Sequence, residues 1–284
     1  MCPNLSNGPA INSYKELLKN KSLKMLSKVT QSIRARGFTP TAVLTYQMVH
    51  NRIQKVLFSL HRSFFGSSPH TPPTNWNDYE NLTKYATRPT DINDHLHRLF
   101  VEGVRTDPNT IVELGVRGGE STRVFSAVAD RTGAQIVSAD IDPCDNATSY
   151  PNWQFVQSDD VEFANRWESW CEDNSVDSTI GLLFVDTSHL YDHTVKEVEV
   201  WLPKLAPDGV AIFHDTNLTR FYRRRDNSLG EGWDNDRGVI RALEDYFECS
   251  FDETEQFTTV IDDFLIEHYP LCNGLTVLTR LPDK

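Results

Sequence analysis

Residues Ile111-Val112-Glu113-Leu114 run as an apolar strand into Gly115-Val116-Arg117-Gly118-Gly119, and a helical pattern follows from Thr122 to Ala129. Glycine brings bare backbone close to a neighbour without steric cost, and the start of a helix offers unpaired N–H groups. Further along, a second strand, Ile136-Val137-Ser138-Ala139, ends in Asp140. A strand, a glycine turn, a helix and an acid-tipped second strand are the parts with which a doubly wound α/β domain holds a nucleoside-bearing cofactor.

The spacing of the glycines narrows the choice. A dinucleotide fingerprint needs Gly-x-Gly-x-x-Gly, and Arg117 stands where its second glycine would fall. The pattern here is Glu113-x-Gly115-x-x-x-Gly119, with an acid just before the first glycine. More strand-like runs follow. Asn152 to Val156 leads to Ser158-Asp159-Asp160, Thr179 to Val185 ends at Asp186, and Gly209 to Phe213 ends at His214-Asp215. Short, mostly apolar runs of this kind are expected for parallel strands buried on both faces. Val195, Val198 and Leu202 share one helical face, and Pro203 to Pro207 ends that helix. The alternation predicts a Rossmann-like α/β fold: a doubly wound, mostly parallel sheet of seven strands, helices on both faces, and an N-terminal helical extension.

Composition permits this and removes other classes. The 284 residues can bury a full core. No apolar run is long enough to cross a membrane, and no signal-peptide core opens the chain. The five cysteines, Cys2, Cys144, Cys171, Cys249 and Cys272, never fall as Cys-x-x-Cys, so reduced thiols in a cytoplasmic protein are expected rather than a disulfide frame or a zinc site.

The net charge of −12 is unevenly spread. Residues 1–70 hold ten Lys and Arg against one acid, a net +9, and the remainder carries −21. Within the basic part, Leu18, Met25, Leu26, Val29 and Ile33 share one helical face, and Val49, Ile53, Val56, Leu57 and Leu60 another. This divides the chain into a basic helical segment at 1–66, a Pro/Ser-rich linker at 67–78 and the α/β domain at 79–284. A basic amphipathic region can meet a membrane or nucleic acid. Docking on an acidic body, its own or that of a partner in a homo-oligomer, is the expectation here, because the opposite charge is present in the same molecule. No nucleic-acid motif is present, and no membrane partner is expected.

From the Glu113-to-Gly119 motif and the acids that end successive strands, the chain resembles the class I S-adenosylmethionine (SAM) methyltransferases over about residues 80–284. It is most similar to the natural-product sugar O-methyltransferases, the group with the macrolide-sugar and cephamycin-pathway enzymes. The supporting stretches are Thr90 to Leu96, Val185 to Tyr191, Pro207 to Thr216 and Arg237 to Leu243. The resemblance implies that Glu113, Gly115, Arg117, Gly118, Gly119 and Ser121 line a SAM site, with Asp140 on the ribose hydroxyls and Asp159 by the adenine amine. Either acid could equally cap a helix, and Asp159 and Asp160 are not distinguished by sequence. The resemblance also implies Mg²⁺ at Asp186 and Asp215. The family usually has an acid or amide next, where this chain has Thr216, a weaker ligand.

His189 lies at the offset from Asp186 that the family's catalytic base occupies, and an imidazole suits that task because it titrates near neutral pH. His189-x-x-x-His193 lacks the glutamate of a zinc protease, since residue 190 is Leu. His214 precedes Asp215 on a strand, so it is expected to point to the opposite face and pack. The stretch 219–236 has loop composition with four arginines. Tyr222 and Trp233 there could stack on an acceptor, or the loop could simply be solvated. The function implied is O-methylation of a hydroxyl, on a sugar of a glycoside or natural product, with SAM and possible Mg²⁺ assistance. The rivals are a non-catalytic interaction protein of the same fold and an NAD(P)-dependent oxidoreductase.

Overall fold

The computed structural model describes residues 88–282, together with Val56, Leu82 and Ala86. The basic segment expected at 1–66, Val56 apart, and the linker expected at 67–78 lie outside the described residues. Helix α1 (Leu96–Thr106) leads to β1 (Thr110–Leu114), α2 (Glu120–Thr132), β2 (Gln135–Asp140) and β3 (Trp153–Gln157). Then come α3 (Asp160–Ala164), α4 (Trp167–Asn174), β4 (Ile180–Val185), α5 (Tyr191–Trp201), a 3₁₀ turn (Leu202–Lys204) and β5 (Leu205–His214). The chain ends with β6 (Phe221–Arg223), β7 (Leu229–Glu231), α6 (Gly238–Tyr246), β8 (Phe257–Ile261), β9 (Phe264–Tyr269) and β10 (Leu275–Arg280).

The main sheet runs β3-β2-β1-β4-β5-β10-β9-β8, and β6 and β7 form a separate ribbon. The first five strands in that order pair in parallel. The last three add antiparallel. The doubly wound fold is therefore present, but the sheet has eight strands rather than seven. The additional edge strand β8 lies between the acidic stretch 252–255 and an Asp262-Asp263 turn in which Asp262 takes φ 52. Charged flanks of this kind hide a half-exposed strand, whose burial alternates residue by residue.

The alternation of side chains along each strand divides the interior into two cores. On one face Val112, Leu114, Val137, Leu183, Val185 and Phe213 pack under α3 to α6 with Phe163, Trp167, Val198, Trp201 and Leu243. On the other, Ile111, Ile136, Leu182, Phe184, Ile212 and Val277 pack under α1 and α2 with Leu96, Leu99, Val124, Phe125 and Val128. Among the described residues no helix is long and apolar enough to cross a membrane. Cys144, Cys171, Cys249 and Cys272 are free thiols.

Strand order reverses between β1, which continues outward to β2 and β3, and β4, which continues to β5. Open α/β sheets form their ligand crevice at that switch point, beyond the carboxyl ends of the strands. Gly115 and Asp186 follow the two strands that flank it.

The core beneath α5 rests on an aromatic cluster. Trp201 meets Trp167 and Phe163 with ring centroids 5.6 and 6.0 Å away. Its indole N–H has no acceptor, although it is buried. Trp201→Ala should lower stability by about 3–5 kcal/mol in urea unfolding. Trp201→Phe, which also removes the orphaned donor, should cost much less.

Candidate functional site

After β1 the chain turns through Gly115 at φ +87. A Cβ there would stand 2.0 Å from the carbonyl oxygen of Asp186, so only glycine closes the turn against β4. The Asp186 N–H in turn donates to Leu114 O at 2.8 Å. Gly119, at φ +73, precedes α2 and lies against Ala147, whereas a Cβ on Gly118 would meet nothing within 4 Å. The turn is thus walled on one side and open on the other. Asp140 reaches it from the end of β2. Its Oδ2 accepts the N–H groups of Val116 at 2.7 Å and Arg117 at 3.0 Å, and its Oδ1 that of Asp142 at 2.9 Å.

Several residues expected to line the turn serve it differently. Glu113 is wholly buried beneath it. Its carboxylate accepts hydroxyl hydrogens from Ser121 at 2.6 Å, Thr122 at 2.8 Å and Ser138 at 2.6 Å. The residue expected as a cofactor contact is therefore a brace under the turn, and Ser121 is committed to it. The cause is strand alternation, which turns Glu113 toward α2. Burial pushes Glu113 up to about 7, against the three hydroxyls that favour its charge. The Arg117 side chain is largely exposed and reaches Asp91 at 3.2 Å. Asp159 caps α3, accepting the Glu162 N–H at 3.0 Å.

At the carboxyl ends of β4 and β5 four groups converge. His189 Nε2 lies 3.1 Å from Asp215 Oδ2, and its Nδ1 lies 3.9 Å from Asp186 Oδ1. His214 Nδ1 lies 3.1 Å from Asp186 Oδ1 and 3.5 Å from Asp215 Oδ1. His214 does not merely pack, as alternation predicted. Asp215, just past the end of β5, takes a left-handed φ of 57, which departs from strand alternation and brings neighbours 214 and 215 to the same cluster. Burial opposes charge on His214, but Asp215 and Asp186 outweigh it and raise it to about 10. Burial likewise works against Asp186, yet His214 and His189 hold it at about 2. Beyond His214 stands His95, its ring centroid 5.7 Å away. Burial first, then the charge of His214, lowers His95 to about 3. Sequence analysis missed both roles.

Asp186, His214 and Asp215 each bring a ligand atom within 4.8 Å of the others, a grouping that could hold a metal ion. Mg²⁺ prefers oxygen ligands, which here are the two carboxylates. The third expected ligand is turned away: Thr216 Oγ1 faces His268 Nδ1 at 3.5 Å. The neighbouring Asn217 amide donates to Pro270 O.

The acceptor side is also corrected in part. Tyr222 is buried, its hydroxyl accepting from Arg224 at 3.0 Å, so it offers no face for stacking. Arg224 also donates to Thr90 O and Pro89 O, fastening the ribbon instead of waiting for an anion. Trp233 is exposed, and its ring lies 6.1 Å from that of His189.

Residues 112–216, which include the strands that build the crevice, match the family model described as "Methyltransferase domain". An uncharacterized protein of Sinorhizobium fredii is 44% identical over 46 residues, 16% of this chain and 5% of that relative's length. Among solved structures, a putative caffeoyl-CoA O-methyltransferase from Staphylococcus aureus superposes with a TM-score of 0.45 at 14% identity, over 80% of this chain and 98% of that one. The MycE methyltransferase of mycinamycin biosynthesis, in complex with Mg, S-adenosylhomocysteine and mycinamycin VI, superposes with a TM-score of 0.45 at 18% identity, over 76% and 57%.

The raised Glu113 sets a pH dependence. Its unfolded form titrates near 4.5 and its folded form near 7, so the folded state holds an extra proton between those values. Stability contributed by this group is full below pH 4.5 and is lost as pH rises through 7. Urea unfolding of wild type should fall across that window by on the order of 3 kcal/mol relative to Glu113→Gln. Parallel curves for the two proteins would remove the assignment.

Proposed function

We propose that the protein is a SAM-dependent O-methyltransferase that methylates a hydroxyl, on a sugar of a glycoside or natural product. The observation that carries the reading is the 3.1 Å contact between His189 and Asp215 at the switch-point crevice, beside the glycine turn of a methyltransferase domain. SAM supplies an electrophilic methyl group on a sulfonium. Asp140 and the open face at Gly118 fit its ribose and amino-acid parts. Asp140 keeps lone-pair capacity after accepting three N–H groups.

His189 is the general base of this reading. The Asp215 carboxylate selects the tautomer with hydrogen on Nε2, which leaves the Nδ1 lone pair free. Nδ1 takes the proton of the acceptor hydroxyl as its oxygen attacks. Asp215 and Asp186 then stabilise the imidazolium that forms, and Asp186 is kept ionised for this by His214. Trp233 supports a sugar acceptor, because an exposed indole beside the base offers a flat apolar face with a polar edge. Asp186 and Asp215 would hold Mg²⁺ where it binds, and the ion would polarise the acceptor oxygen.

Calorimetry is expected to show binding of SAM or S-adenosylhomocysteine, weakened in Asp140→Ala by about 1–3 kcal/mol. Binding of NAD(H) in place of both would return the oxidoreductase. His189→Ala should lower methyl transfer to a glycoside acceptor by roughly 10²–10⁴-fold, with SAM affinity nearly unchanged. Near-normal turnover in that variant would assign the proton to another group.

A further inference from the structure

A second cluster of ionisable groups lies behind the first. His193 Nε2 meets Asp160 Oδ1 at 2.8 Å and Glu197 Oε1 at 3.6 Å. His193 and Glu197 are one turn apart on α5, so they share a face. Asp160 begins α3, and the Asp159 carboxylate beside it belongs to the same group: ligand atoms of Asp159, Asp160 and His193 lie within 4.8 Å of one another. Asp160 is 6% exposed and Glu197 1%.

The cluster is short of positive charge. Three acids face one histidine, and among the described residues no Lys or Arg forms a salt bridge with Asp160 or Glu197. The other cluster is different, since His214 and His189 both stand against its two aspartates. After His193 has paired with Asp160 and the Thr187 hydroxyl with Glu197, Asp160 Oδ2 and Glu197 Oε2 remain buried with no hydrogen-bond donor. Burial raises Glu197 well above the ordinary carboxyl range, with Asp160 as its hydrogen-bond partner, so either a proton between the two acids or a cation in its place offsets the cost of burying these oxygens.

We propose that Asp160, His193 and Glu197, with Asp159 at the rim, bind a divalent first-row transition ion of the zinc type. One imidazole with carboxylates is a donor set such ions accept, completed by water. The ion ties the start of α3 to α5. Through the Thr187 hydroxyl on Glu197 it also steadies the segment between Asp186 and His189. The site is structural, separate from the methyl-transfer groups, and stands whether or not the functional reading above holds.

The test uses the full chain, stripped of metal with EDTA and dialysed, then titrated with ZnCl₂ by calorimetry and melted with and without Zn²⁺. Wild type is expected to bind Zn²⁺ and to gain melting temperature, since an ion that binds only the folded state stabilises it. His193→Gln and Glu197→Gln should each weaken binding by on the order of 100-fold or more. Asp142→Asn, outside both clusters, should leave it unchanged. His193 is part-exposed, so its variant keeps the test decisive even where Glu197→Gln fails to fold, which circular dichroism reports. Absence of Zn²⁺ binding by metal-free wild type, or binding by His193→Gln as tight as wild type, overturns the proposal.

Discussion

The approach of Gly115 to the backbone of Asp186 governs the geometry of the whole sheet edge. Strands β1 and β4 separate the two halves of a doubly wound sheet, and a crevice opens where their connections diverge. Because a Cβ on Gly115 would stand 2.0 Å from Asp186 O, the glycine turn and the segment that begins at Asp186 share one wall. The turn that fits a cofactor and the loop that carries His189 are therefore fixed to each other. Glu113 reinforces this from below by drawing α2 and β2 together through Ser121, Thr122 and Ser138.

Acids gather at the carboxyl ends of the strands, and the protein answers their charge with histidines. An unpaired buried carboxylate costs several kcal/mol, and Asp215 and Asp186 in turn favour the charged form of His214 against its burial. That choice has a consequence one layer deeper. His95, edge-on to His214, cannot also be charged at 5.7 Å. It remains neutral and hydrogen-bonds Leu271 O at 2.7 Å instead. Both imidazoles are buried, yet their opposite charge states follow from which neighbour each one faces.

The strands and the glycine turn could be read from the sequence because burial on both faces leaves continuous apolar runs, and because only glycine fits the turn. Asp140, Asp186, His189 and Asp215 fell at the sheet edge for the same reason. What was hidden depends on single dihedral angles and on direction. Strand alternation put His214 and Asp215 on opposite faces, and the left-handed backbone of Asp215 undid it. Alternation also turned Glu113 inward to α2, which a motif match does not register. Thr216 and Tyr222 look available by position, but His268, distant in sequence, and Arg224, two residues along the ribbon, claim them. The meeting of Asp160 with His193 joins the start of α3 to α5, two elements that no local pattern relates.

Trp233 and His189, proposed as acceptor platform and base, are also coupled. His189 takes a left-handed φ of 58, and its carbonyl oxygen accepts from Asn235 Nδ2 at 3.0 Å. Gly238, at the start of α6, approaches the same oxygen so closely that a Cβ would stand 2.4 Å away. The stretch that carries Trp233 is therefore pinned to the backbone of the base, so the indole and the imidazole keep their spacing. The β6–β7 ribbon has its own anchors: Arg224 on Pro89 and Thr90, and Asp94 accepting the Arg225 N–H at 2.6 Å. Substitutions on the exposed edge of the ribbon can reshape the mouth of the crevice while Asn235 and Gly238 hold His189 in place. On the proposed reading, acceptor choice and proton removal rest on two neighbouring segments, one after β4 and one after β5, with separate supports.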